Sequence, residues 1–286
     1  DRGAGIRVVA GESTGFAHTA DLSLAGLTAA AEAAAAAATG GSGTATIVAL
    51  ADEPIRRSGD DGVRSPADVP KADKVALLTT MDSAARSGNS DVAQVSASYG
   101  DSVKRMLIAN TDGTFIADST TRTLVRCSVV ANGDAGMQTG YRSAGHTVGW
   151  ELFDRLDVTD LARDAARQAV AKLRAVPAPS GSMPVVVAAG AGGVLFHEAC
   201  GHGLEADLVG KNASVYAGRM GELVASPLVT LVDDGTMDGE WGTRQYDDEG
   251  HPSQRNVLIE NGVLTDYMWD LLRARKEKSP QKGNGR

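Results

Sequence analysis

The stretch Val92-Ala-Gln-Val-Ser-Ala-Ser-Tyr-Gly-Asp-Ser-Val-Lys-Arg-Met-Leu-Ile-Ala109 decides the fold class. Apolar and polar side chains alternate over Val92–Tyr99 and again over Val103–Ala109, the period of half-buried strands. Gly100-Asp101 between them predicts a tight turn, so the two runs read as a hairpin. The pattern continues outward. Asn110-Thr-Asp-Gly113 is a second turn before Phe115–Asp118, and Thr121–Ala131 and Met137–Ser143 flank a third, Asn132-Gly-Asp-Ala-Gly136. Consecutive strands joined by turns this short can only pair antiparallel, which predicts a meander.

Helices flank it. Lys71–Arg86 places Val75, Leu78 and Met81 on one side and ends at Ser87-Gly88, while Val158–Leu173 opens with Thr159 as a cap. Towards the N-terminus, Ile6–Ala10 and Phe16–Thr19 read as short strands around the turn Gly11–Gly15, followed by an Ala-rich helix, Leu24–Ala38, stopped by Gly40-Gly41. Prolines 54, 66 and 70 mark residues 51–70 as a linker, and Pro177–Ser182 as another. Towards the C-terminus come an apolar strand Met183–Ala189, the turn Gly190–Gly193, a helix bearing two histidines, a strand Val229–Asp233, and a hairpin of Val257–Glu260 with Val263–Met268 around Asn261-Gly262. The expected class is α+β. An N-terminal α/β portion with its linker fills 1–70, and a central antiparallel meander with flanking helices fills 71–182. The first part of a β-rich domain carrying the histidine helix fills 183–286. Asp1 is not an initiator and Gln281–Arg286 stops in mid-loop, so truncation at both ends is expected.

Composition excludes several roles. A formal charge of -8 is the wrong sign for phosphate neutralisation, so direct nucleic-acid binding, including a role in DNA topology, is not expected. Arg273–Lys278, the one basic run, is broken by Glu277 and reads as a solvated helix face. Asp233-Asp234 and Asp247-Asp248-Glu249 read as solvated turns, without the alternating oxygen ligands of a calcium loop. No uncharged run is long enough to span a membrane, and no signal peptide opens the chain. Cys127 and Cys200 are too few for a disulfide framework and fit a reducing, cytoplasmic setting.

The chemistry concentrates in His197-Glu198-Ala199-Cys200-Gly201-His202. Two imidazoles beside one carboxylate are the residue types that hold zinc and move a proton. Histidines four apart lie within roughly 40° around a helix; five apart they diverge by about 140° on a regular α-helix. To share one ion, the extra residue must be absorbed in a π-turn, with Gly201 the expected place of distortion. The same residues could also form a hydrogen-bonded helix with no metal. Two of only five histidines falling beside one Glu, after a strand and a Gly-rich turn, tips the reading towards a metal. Cys200 reads as a small buried residue. Glu205 and Asp207 are placed to orient a histidine, and His251 sits in a polar loop, a surface residue unless that loop covers the site and meets substrate. His146 and His18 read as structural.

The segment Gly192-Gly-Val-Leu-Phe-His-Glu-Ala-Cys-Gly-His-Gly-Leu-Glu205 resembles the signature of the TldD/PmbA metallopeptidases. Gly5-Ile-Arg-Val, Thr14-Gly-Phe-Ala17, Gln94-Val-Ser-Ala97, Arg255-Asn256 and Gly283–Arg286 extend the similarity along nearly the whole chain. The resemblance implies a zinc peptidase of the bacterial cytoplasm that cleaves short or unfolded peptides inside a closed chamber. It assigns zinc binding to His197 and His202 and the general base to Glu198, with a third ligand, a cysteine, in residues this chain does not contain. It also implies pairing with a TldE/PmbA-type subunit that lacks the motif, or a homo-oligomer. The competing reading is a non-catalytic subunit that binds peptide or builds the chamber. Intact Glu198 speaks against it, because an inert scaffold needs no base beside its ligands.

Overall fold

A computed structural model describes residues 2–11, 13–38, 56–58, 64–134, 136–190 and 192–285. The expected stop at Gly40-Gly41, half of the 51–70 linker, and Glu12, Ala135 and Ala191 in three expected turns lie outside the described residues, as do Asp1 and Arg286. The chain divides into two compact units, 1–51 and 52–286.

In the first unit, β1 (Ala4–Ala10) and β2 (Ser13–Thr19) form an antiparallel hairpin with Ile6 opposite Ala17. Helix α1 (Leu24–Ala37) begins at Ser23, whose hydroxyl accepts from the Gly26 amide at 3.2 Å. It buries Ala30 and Ala34. Gly15 lets β2 approach α1 so closely that a Cβ there would strike the Ala34 carbonyl.

The second unit is built around a long strand. β3 (Arg56–Ser58) runs parallel to the start of β5 (Phe115–Gly133), β4 (Val92–Ala109) lies antiparallel along most of β5, and β6 (Gly136–His146) pairs with its second half. β5 is therefore central. Its inward residues Val125, Cys127, Val129 and Ala131 are fully buried against α2 (Lys71–Arg86) and α3 (Val158–Lys172). α3 presents Ala162, Ala165, Ala166 and Ala169 to the sheet, small enough for the backbones to close up. A Cβ on Gly140 of β6 would meet the Ala165 carbonyl.

Two strand expectations change here. Gly100-Asp101 is not a turn: it lies inside β4 opposite Leu124 and Thr123, and β5 likewise runs without a break through Ser119 and Thr120. A turn at Gly100 would pair Val92–Tyr99 with Val103–Ala109. Each run instead finds a longer partner in β5, which satisfies more backbone groups and covers the core. The α3 cap also differs. Asp157, not Thr159, is the N-cap, and its carboxylate accepts from the Thr159 and Asp160 amides at 2.8 and 3.4 Å. The Thr159 hydroxyl, which donates to it at 2.7 Å, and then those amides hold its carboxyl below the ordinary carboxylate range.

The C-terminal part is a small antiparallel sheet, β7 (Leu231–Asp234), β8 (Arg255–Glu260) and β9 (Val263–Leu264), with the expected Asn261-Gly262 turn at φ 48° and 83°. Helix α6 (Leu271–Glu277) follows. Leu204, Leu258, Ile259, Leu264, Tyr267 and Trp269 form the core beneath it. β9 is two residues long, much shorter than Val263–Met268. Met183–Ala189 is not a strand: among the described residues it has no pairing partner, and Val186 is 98% exposed. Alternation and β-branching favour a strand only where a neighbour completes the ladder.

The acidic clusters are only partly solvated: Asp248 is exposed, but Asp247 and Glu249 are buried. Asp247 is fully buried; its carboxylate accepts from the amides of Glu249, His251 and Gly285 at 3.0, 2.8 and 2.9 Å. Glu249 accepts from the Leu271 amide at 2.7 Å, and Asp233 from the Asn284 side chain at 2.8 Å. These carboxylates tie residues 281–285 onto the sheet. Among the described residues no helix is long and apolar enough to cross a membrane.

Candidate metal centre

The histidine segment begins with one turn of ordinary helix, α4 (Gly193–Phe196), and then widens. His197–Gly201 is wound as a π-turn, and His202–Leu204 tightens to 3-10 geometry. The π-turn takes up the extra residue between the histidines, as their spacing requires. Gly201 is not where the strain sits: its φ and ψ are both -56°, ordinary right-handed values open to any residue. The widening is spread over the whole turn.

Both imidazoles consequently face one another, ring centroids 4.5 Å apart and planes at 72°. With Glu198 they form a cluster whose ligand atoms all lie within 4.8 Å of each other. Two neutral imidazoles and a carboxylate are a donor set that suits a borderline divalent ion such as zinc. His202 is steered from behind. Its Nδ1 lies 2.8 Å from Glu205 Oε1, which leaves Nε2 facing the cluster, 3.8 Å from Glu198 Oε2. The hydrogen bond and charge of Glu205 hold the His202 imidazolium above the ordinary histidine range; Glu198 adds to this and desolvation opposes it. All three cluster residues are exposed.

Among the described residues, the segment is anchored downstream. Leu204 is fully buried, and the backbone on either side of Glu205 pairs with Met268, whose amide donates to Leu204 O at 2.9 Å while its carbonyl accepts from Ala206 N at 3.1 Å. Helix α5 (Ala206–Gly210) then leads away. Upstream, Val194, Leu195 and Phe196 are exposed.

The other candidate residues are spread out. Asp207 pairs with Lys211 at 2.8 Å, away from the imidazoles. His251 lies in the Asp247 network with Nε2 2.8 Å from the Gln254 side chain. His146 Nδ1 lies 3.2 Å from the Gly239 carbonyl. Cys200 is partly exposed rather than buried and neighbours Tyr216. Hydrogen bonding to Cys200, then burial, pushes the Tyr216 hydroxyl above its ordinary value. Sequence reading missed Tyr216 and its neighbour Ser214, which sit in an irregular loop with no periodicity to mark them.

Three family models match the chain: PmbA/TldA metallopeptidase domain 1 over residues 1–38, the central domain over 64–173, and the C-terminal domain over 180–286. A Haemophilus influenzae metalloprotease TldD homolog is 40% identical over 293 residues, covering 100% of this chain and 60% of the relative. A Buchnera aphidicola metalloprotease TldD homolog is 36% identical with the same coverage. A Methanothermobacter thermautotrophicus metalloprotease is 38% identical over 78% of this chain and 48% of its own length. The chain thus spans about 60% of the length of the first two relatives. Among solved structures, TldE from Thermococcus kodakarensis superposes with a TM-score of 0.71 at 21% identity, covering 98% of this chain and 62% of the other. At that identity the match speaks for the fold alone.

Proposed function

This chain belongs to the PmbA/TldD metallopeptidase family, and from that premise we propose that it carries the zinc site and catalytic base of a peptidase acting on short or unfolded peptides. The observation that carries the proposal is the π-turn, which brings two imidazoles five positions apart to face each other beside Glu198. His197 and His202 would hold the ion, His202 through Nε2, since Glu205 engages Nδ1. Zinc, when bound, supplies polarisation of the scissile carbonyl and a water of lowered pKa. Glu198 accepts a proton from the attacking water and returns it to the leaving amine. Glu205 fixes the tautomer and orientation of His202. Two imidazoles leave a zinc ion short of its usual three protein ligands; the third is assigned to the further cysteine that the family resemblance implies.

The family matches support a division near the boundaries 1–70, 71–182 and 183–286. Family membership supports pairing with a TldE/PmbA-type subunit, a homo-oligomer being the other arrangement. Two free cysteines support a cytoplasmic setting.

The test is Glu198→Gln in the full-length protein. Loss of a general base lowers the rate by about 10²–10⁴-fold, so peptide cleavage should fall by that factor while bound zinc is unchanged. Unchanged cleavage would contradict the assignment and leave a peptide-binding or chamber-forming role.

A further inference from the structure

The π-turn is an uncommon winding for a backbone, and something must keep His202 on the same side as His197 when Gly201 contributes no special angle. The segment Ser214–Tyr216 touches the turn at two points. Beside it, the Tyr216 hydroxyl neighbours the Cys200 thiol, which pushes that hydroxyl above its ordinary value. Immediately after it, the Tyr216 ring lies flush on Gly203, where a Cβ would come within 2.9 Å of the ring, and the Ser214 hydroxyl donates to the Gly203 carbonyl. Gly203 is next to His202, and Cys200 is two residues before it.

The brace is itself fixed. The Tyr216 amide donates to Ser214 Oγ at 3.0 Å, so one hydroxyl joins the loop to the helix. The Tyr216 carbonyl accepts from the Tyr267 hydroxyl at 2.6 Å, and Tyr267 is buried in the C-terminal core. A continuous path of bonds therefore runs from that core through Tyr216 and Ser214 to Gly203, the residue after His202.

We propose that Tyr216, with Ser214, is a positioning residue for the metal centre: it clamps the end of the π-turn at Gly203 and so sets how closely His202 faces His197. The proposal rests on the zinc reading above. Neither side chain ligates; both act by holding the backbone that carries His202.

The experiment measures zinc affinity of the full-length protein by competition with a chromogenic chelator, alongside thermal unfolding of the metal-free form. The variants are Tyr216→Phe, Tyr216→Ala, Ser214→Ala and, as reference, His202→Ala. Loss of support behind a ligand weakens metal binding by about 10–100-fold. Tyr216→Ala should fall in that range, and Tyr216→Phe, which keeps the ring on Gly203 and removes only the hydroxyl beside Cys200, by a smaller factor. Metal-free thermal midpoints of Tyr216→Phe and Ser214→Ala should stay at the parent value. Should Tyr216→Ala fail to fold, the Phe and Ser214 variants decide. Parent affinity in both of these, with His202→Ala impaired, would overturn the brace and leave the zinc site standing. No zinc binding by the parent protein would instead overturn the zinc reading itself.

Discussion

Glu205 shows how much one side chain three positions on can do. Its carboxylate bonds His202 Nδ1 at 2.8 Å, so the ring cannot turn its other nitrogen away from Glu198 and His197. Glu205→Gln keeps the shape and removes the charge; Glu205→Ala removes both. A carboxylate behind a ligating histidine contributes about 10–100-fold to metal affinity, so zinc competition should show a loss of that size for the alanine variant. Equal affinity in Glu205→Ala would mean that His202 is oriented by other contacts. This pairing was legible in the sequence, because residues three apart on a helix face each other. Tyr216 was not legible: it meets Cys200 only because an irregular loop folds back, and no periodicity records that. Asp207, at an equally suggestive distance, spends its carboxylate on Lys211.

At the scale of elements, spacing alone required the π-turn, but the supposed need for glycine at 201 was misplaced. A Cβ on Gly201 would sit 3.6 Å from His197 Nδ1, an ordinary contact, whereas one on Gly203 would press on Tyr216. Gly201→Ala should therefore leave zinc affinity nearly unchanged, and Gly203→Ala should lower it; the reverse order would place the distortion back at Gly201. Helices α2 and α3 follow their sequence patterns closely, since helical bonds close within one segment. Strands depend on partners that sequence does not name. Gly100-Asp101 has turn chemistry yet lies in a continuous β4 because β5 is long enough to pair with both halves. Solution NMR should accordingly show cross-strand contacts from Gly100 to Leu124 and none between Ser98 and Val103. Met183–Ala189 has strand chemistry and no partner among the described residues, and it stays irregular.

Across the whole molecule, two cores of the second unit set its stability, one under the long sheet and one under α6. Met81 is fully buried in the first, so Met81→Ala should cost about 2–5 kcal/mol in denaturant unfolding without touching the metal site. The second core owes its C-terminal segment to buried carboxylates that charge patterning had assigned to solvent. Burial of Asp247 depends on backbone amides as distant as Gly285, which is tertiary information. The histidine segment leads into this second core, and the family's chemistry is concentrated there. X-ray absorption at the zinc edge of the zinc-loaded, full-length protein measures the central claim directly. Two imidazoles should scatter in the first shell, and one should disappear in His202→Ala. A spectrum without histidine scattering, or one unaltered by His202→Ala, would contradict it.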